Sequence, residues 1–263
     1  MNKINTIISD LITPAILFGL IYFQSTLIWY SILVCWVVCN CNTLIVHEGW
    51  AHQYIVPKNK YLGYILDILG HFISSPIPKE KYSMKMNWKI MHQFHHKYWK
   101  ESNDFDQNTI DNNHWLIYIF FPAHIKDDTN KLVYDKLYNK TTKEIYAEMD
   151  NTSVFIDVHR NKIISVMHIL FFLLLGLENY FYFVLLPAYT YSLYHKFFGE
   201  VLAHKNKLTK NDDKDYPYLF FVCTSLAYHN SHHRYIGINL GSTWQKYVNI
   251  QFYFVKLFYN IKI

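Results

Sequence analysis

The chain has 263 residues, of which 51% are hydrophobic, 19% aromatic and only 17% charged, which is more apolar and less charged than a soluble domain and excludes a highly solvated or disordered protein. The formal net charge of +5 calls for no nucleic acid, because lysines facing an anionic leaflet account for it. Cys35, Cys39 and Cys41 sit in one apolar stretch, far from Cys223 and without CxxC spacing, so the cysteines read as reduced packing residues rather than a disulfide framework.

Residues 11–46 contain no Asp, Glu, Lys or Arg. That is room for two crossings of about 20 helical residues each, with Gln24-Ser25-Thr26 as the turn. Helices are expected at about residues 5–23 and 26–46. Residues 61–78 carry Asp67, His71 and two prolines, too short and too polar to cross, and read as an interfacial helix. Residues 101–151 are rich in Asn, Asp and Lys and read as a soluble cap. Residues 163–195 hold a single formal charge, Glu178, near their middle. A charge at bilayer centre costs at least about 2.5 kcal/mol, so two helices are expected, at about 160–177 and 179–200, with Glu178-Asn179 in the hairpin. Arg160 and Lys162 then snorkel to the interface, and Pro187 kinks the last helix.

All 25 basic residues fall outside the two apolar blocks, and neither hairpin tip carries one. Positive charge marks the cytosolic side. The expected fold is therefore all-α: one integral membrane domain spanning 1–263, with four transmembrane helices in two hairpins under a cytosolic cap of residues 47–159 and 201–263. Both termini are placed in the cytosol, and the first block is too long and too poor in an early basic region to be a signal peptide.

Fifteen histidines are distributed unevenly. His47-x4-His52 follows the second span, His92-x2-His95-His96 lies in the middle segment, and His229, His232 and His233 form "HNSHH" beyond the fourth span. About 0.05 accidental HxxHH matches are expected per chain at this histidine frequency, and there are two. On a helix, positions i, i+3 and i+4 share one face, so three imidazoles can converge on one point. The HxxxxH pair diverges by about 140 degrees on an α-helix, which suggests two metals. Glu200 and His204, four apart at the inner end of the fourth span, share a face and make His204 a ninth candidate. His71, His114, His124, His159, His168 and His195 read as ordinary core or interfacial histidines. "HEGWAH" is no zincin motif, since Ala51 occupies the position that HExxH requires to be His.

In their order and spacing, "HEGWAH", "HQFHHKYWKESNDFDQN", a lone histidine after the fourth span and "YHNSHHRY" resemble the membrane fatty acid desaturases, particularly the acyl-CoA and acyl-lipid delta-9 members. The likeness runs from about residue 26 to the C-terminus and includes the "STWQKYVNIQFYFVKLF" tail. It implies that His47, His52, His92, His95, His96, His204, His229, His232 and His233 hold two irons, with Glu200 as an additional candidate ligand. It also implies that Asp104, Asp106 and Asn230 orient ligand imidazoles from behind. The implied activity is O2-dependent desaturation of a fatty acyl chain, CoA- or lipid-linked, with electrons from an external b-type cytochrome or ferredoxin. No catalytic group beyond the ligands is implied. The implied setting is the endoplasmic reticulum membrane in a eukaryote and the plasma membrane otherwise, with the site in the cytosol. Three departures stand out: Glu48 where the delta-9 members usually carry Arg, which bears on substrate recognition; Glu200 in place of the family's metal-linked Asn; and "SLAY" before the last box. The rival readings are a lipid hydroxylase of the same histidine chemistry, a non-catalytic membrane metal-binding or transport protein, and a degenerate desaturase without activity, which Glu48 and Glu200 keep open.

Overall fold

The computed structural model describes residues 3–74, 84–98, 114–120, 141–202, 215–222, 226–228, 231 and 249–261. The described chain is mostly helical. Helices α1 (Lys3–Phe23) and α2 (Leu27–Thr43) are joined at Gln24, whose φ of 44° turns the chain. The turn thus falls at the Gln24-Ser25-Thr26 position expected from composition. Helix α2 runs on without a break as a π-helical stretch, Leu44–Ala51. After it come strand β1 (Ile55–Pro57), α3 (Lys60–Ser74), α4 (Met84–Tyr98), the short α5 (Trp115–Phe120) and α6, residues 141–148.

Helix α7 (Asn151–Tyr180) continues through a π-helical stretch, Phe181–Leu185, into α8 (Leu186–Tyr194) and a second one, His195–Leu202. The chain ends in α9 (Ile250–Phe258) and strand β2 (Tyr259–Ile261). Strands β1 and β2 pair antiparallel, Ile55 opposite Ile261 and Pro57 opposite Tyr259. This two-stranded ribbon departs from the all-α expectation; each strand has three residues, too few for an alternating pattern to stand out.

Two helices are long and apolar enough to cross a membrane, Leu27–Ala51 and Asn151–Phe198; α1 contributes a shorter apolar stretch, Leu11–Phe23. The second is not one straight rod. Gly176, at φ 73° and ψ 169°, interrupts the helix in a conformation essentially restricted to glycine. The hairpin is therefore two residues earlier than the Glu178-Asn179 position read from charge, while Glu178 remains exposed beside it. Helix α7 also starts nine residues before the expected position 160. Asp150 caps it, its carboxylate accepting from the amides of Thr152 and Ser153.

Pro187 does not bend the helix as a simple kink. Its ring cannot donate and crowds the preceding turn, and the turn before it widens into the π-helical stretch Phe181–Leu185. The carbonyl of Tyr182, five residues before Pro187, is taken up instead by the Ser31 hydroxyl of α2 at 2.5 Å. Around this junction Ile16, Cys35, Phe181, Leu186 and Tyr189 form one core cluster. Gly19 lets the Phe181 ring lie on α1, for a Cβ there would be 2.4 Å from it.

A second cluster gathers Cys39, Leu44, Ile45, Val46, Trp50, Ile55, Leu66, Tyr191, Tyr194, Val255 and Tyr259. It packs the end of α2 against α3, α8, α9 and the ribbon. Gln251, buried in α9, donates to the Asn40 carbonyl at 2.7 Å and holds the C-terminal helix against α2. The C-terminal end of α2 is thus enclosed on several sides, which is what a site carried on it requires.

Candidate metal centre

The first histidine pair lies on the π-helical stretch that prolongs α2. There the His52 amide donates to the His47 carbonyl at 3.1 Å, an i to i+5 bond. Such a bond sets residue i+5 nearly one turn above residue i. The two imidazoles therefore come together, with ring centres 4.8 Å apart, instead of diverging as they would on an α-helix. The divergence argument for two metals does not apply to this pair.

Helix α4 brings the second box. Four histidines, His47, His52, His92 and His96, each offer one ring nitrogen within 4.8 Å of the others, close enough to hold a metal ion. His92 Nε2 is 3.0 Å from both His52 Nε2 and His96 Nε2. Two ligands about 2.1 Å from a metal and 90° apart would be about 3.0 Å from one another, so these spacings fit a shared cation. His95 is buried at 4% but stands outside this foursome, its ring centre 5.9 Å from His92 and 6.0 Å from His96. His204, His229, His232, His233, Asp104, Asp106 and Asn230 lie outside the described residues, and of Glu200 only the backbone is described, in the helix His195–Leu202.

Burial, followed by the neighbouring imidazoles of His47, His52, His96 and His95, holds His92 well below its ordinary pKa. It is therefore a neutral imidazole at physiological pH, the form that ligates metals. Trp88 walls the cluster, its ring 5.4 Å from His92, 6.1 Å from His47 and 4.7 Å from His195. Tyr54 stacks on His52 at 5.5 Å.

Two buried acids lock the helices that carry these rings. Asp67 of α3 accepts from Trp50 Nε1 at 2.9 Å and from Lys85 Nζ at 2.5 Å, so one carboxylate joins the first box to the start of the second-box helix. The edge of the Trp50 indole also lies against Gly70, where a Cβ would come within 2.4 Å of it. Asp157 of α7 meets His71 Nε2 at 3.3 Å and accepts from the Tyr146 hydroxyl of α6. His71 in turn packs its ring 4.9 Å from Trp50.

Of the other histidines read as ordinary, His195 lies against Trp88 beside the cluster and His124 falls outside the described residues. His168 Nδ1 lies 2.8 Å from the Tyr180 hydroxyl, and His114 accepts from the Leu116 amide. Sequence reasoning passed over Trp50, Asp67 and Trp88 as parts of this site. The available signal was Asp67 itself, a lone acid in an otherwise apolar helix, four residues from another polar residue, His71.

Comparison of the chain with protein-family models, with curated proteins and with solved structures gives no match. The functional reading accordingly rests on the site.

Proposed function

We propose that this chain is a membrane-embedded di-iron oxidase of acyl chains, a desaturase that takes oxygen and external electrons. The observation that supports it most is the foursome His47, His52, His92 and His96. Its members come from boxes forty residues apart and converge where a membrane-length helix ends. A water-soluble metal site has no need of that address, whereas chemistry on a lipid chain does. In this reading α1, α2 and the two limbs either side of Gly176 make four crossings, with the termini and the metal site on the cytosolic side. His204, His229, His232 and His233 would complete the ligands of the second iron.

Iron, when bound with oxygen, supplies the oxidising power that an unactivated C–H bond demands and that no side chain possesses. The protein's own share is positional. Neutral imidazoles hold the cation without adding charge, Trp88 and Tyr54 restrict water, and Asp67 fixes the first box against α4. An apolar groove of about 290 Å3 lies between α2, α3 and α9, lined by Val38, Cys41, Ile45, Ile73 and Phe254 among others. It is of a kind that accepts hydrocarbon. The lysine-bearing cytosolic surface suits an acidic electron donor.

The test is metal content of the purified chain together with lipid analysis of cells expressing the wild type or His92→Ala. We expect about two irons per wild-type chain and new double bonds that the variant abolishes. New hydroxyl groups would assign the hydroxylase reading instead. Bound metal without either product would leave a metal-binding membrane protein.

A further inference from the structure

Glu48, the residue at which the first box departs most from the desaturase pattern, is only 2% exposed, and its Oε1 lies 2.9 Å from Nδ1 of His47. It is buried beside a candidate metal ligand. When the Glu48 carboxyl is ionised it only accepts hydrogen bonds, so Nδ1 of His47 then carries the proton and donates. That fixes the tautomer and puts the ring's lone pair on Nε2. The pair sits on a stiff piece of backbone. The Tyr54 amide donates to the Glu48 carbonyl at 3.1 Å, the His52 amide donates to that of His47, and two residues further on Trp50 is tied to Asp67.

We propose that Glu48 is a positioning residue for the metal centre. Its carboxylate holds His47 as an Nε2 ligand, and its negative charge offsets part of the charge of the cation that the four imidazoles surround. This rests on the metal-site reading above and deepens it. Four neutral imidazoles around a divalent ion leave two positive charges in a buried place, and a carboxylate one residue from a ligand lowers that cost. Arginine, usual here in the delta-9 members, would do the opposite, since it cannot accept from Nδ1 and adds a positive charge.

The experiment is titration of the metal-free full-length chain in detergent with Co2+, followed by its absorption bands and by chelator competition, for wild type, Glu48→Gln, Glu48→Leu and His47→Ala. Glu48→Gln keeps an oxygen for Nδ1 and nearly the same shape, so it reports on charge in a folded protein even where the leucine variant fails to fold. We expect affinity to fall about 10- to 100-fold in Glu48→Leu, as removal of such partners commonly does, and by a smaller factor in Glu48→Gln, with the wild-type Co2+ bands retained in the latter. Wild-type affinity in both Glu48 variants, alongside lost affinity in His47→Ala, overturns the role of Glu48 and leaves the metal site standing. Failure of the wild type to bind Co2+, or full binding by His47→Ala, overturns the metal site itself and the inference with it.

Discussion

The two long apolar helices are inverted copies of each other in their burial. The first third of Leu27–Ala51 presents Trp29, Tyr30, Ile32 and Leu33 at 53% exposure or more, and its second half buries Asn40, Asn42, Thr43, His47 and Glu48 at 2% or less. In Asn151–Phe198 the buried acid Asp157 comes early, followed by Leu170, Leu173 and Leu174 at 52% or more before the Gly176 break. Contacts through His71 bring Asp157 to the same end of the molecule as Trp50. One end therefore shows apolar side chains outward, and the other turns polar side chains inward. A protein surrounded by water would bury the leucines first. The exposed apolar end belongs to the two helices that are long and apolar enough to cross a membrane.

The sharpest way to break this comparison is at Asp157. Replacing it with alanine leaves His71 and the Tyr146 hydroxyl facing an empty place inside the protein, and removing one partner of a buried pair costs about 3–5 kcal/mol. The double variant His71→Leu/Asp157→Leu should recover much of that, because it removes both polar groups together. Denaturant unfolding of the detergent-solubilised protein measures both. A loss below about 1 kcal/mol for Asp157→Ala would mean that the polar end is not what binds α3 to α7. Next in size is Gly70→Ala, whose methyl group would drive into Trp50; overpacking of this kind costs about 1–3 kcal/mol. Since Trp50 is held between His47 and His52 in the chain, Co2+ affinity should fall along with stability, which an ordinary core substitution in the apolar end would not cause.

The apolar end was largely legible in the sequence, and the polar end was legible only as a list of residues. Charge-free stretches and a central glutamate are enough to place helices and a hairpin, because exclusion of charge from hydrocarbon is a strong local rule. Even so, the hairpin turns at Gly176 and not at Glu178: a glycine that can adopt φ 73° decides the break, and charge decides only that a break is near. The boxes named His47, His52, His92 and His96 as candidates, but on α-helical spacing His47 and His52 diverge and His95 joins His92 and His96, which is not the foursome found. The π-helical winding that aligns His47 with His52 was not legible, for nothing in "LIVHEGWA" distinguishes an i to i+5 ladder from an α-helix. Asp67 stood out only as a lone acid in α3 and Asp157 not at all, and the pairings of both were hidden. Their partners Lys85, His71 and Tyr146 come from other helices, and pairings across helices leave no periodicity to read.

Gly176→Ala probes the apolar end directly. No atom lies within 4 Å of the place its Cβ would occupy, so any cost is conformational, about 1 kcal/mol or slightly more. It should appear as lost stability with Co2+ binding unchanged, the reverse pairing to Gly70→Ala. If metal affinity falls as well, the two ends are coupled more tightly than their separate cores imply.

The smallest effect is expected at Asp150, where helix α7 begins beside the Tyr64 hydroxyl of α3. Slight burial of this carboxylate acts to raise its pKa and is outweighed by hydrogen bonds from the Ser153 hydroxyl and amide, the Tyr64 hydroxyl and the Thr152 amide, so the folded value lies below the usual 3.8. A group whose pKa is depressed by folding stabilises the native state above its unfolded pKa and loses that contribution as pH falls through the folded one. Asp150→Ala should therefore cost about 0.5–1 kcal/mol at neutral pH, the common range for an exposed N-cap. The gap between wild type and variant should stay constant from pH 7 down to about pH 5 and close below 3.8. A gap that instead widened in acid would show that the aspartate is held in its protonated form, and that the start of α7 is set by something other than its cap.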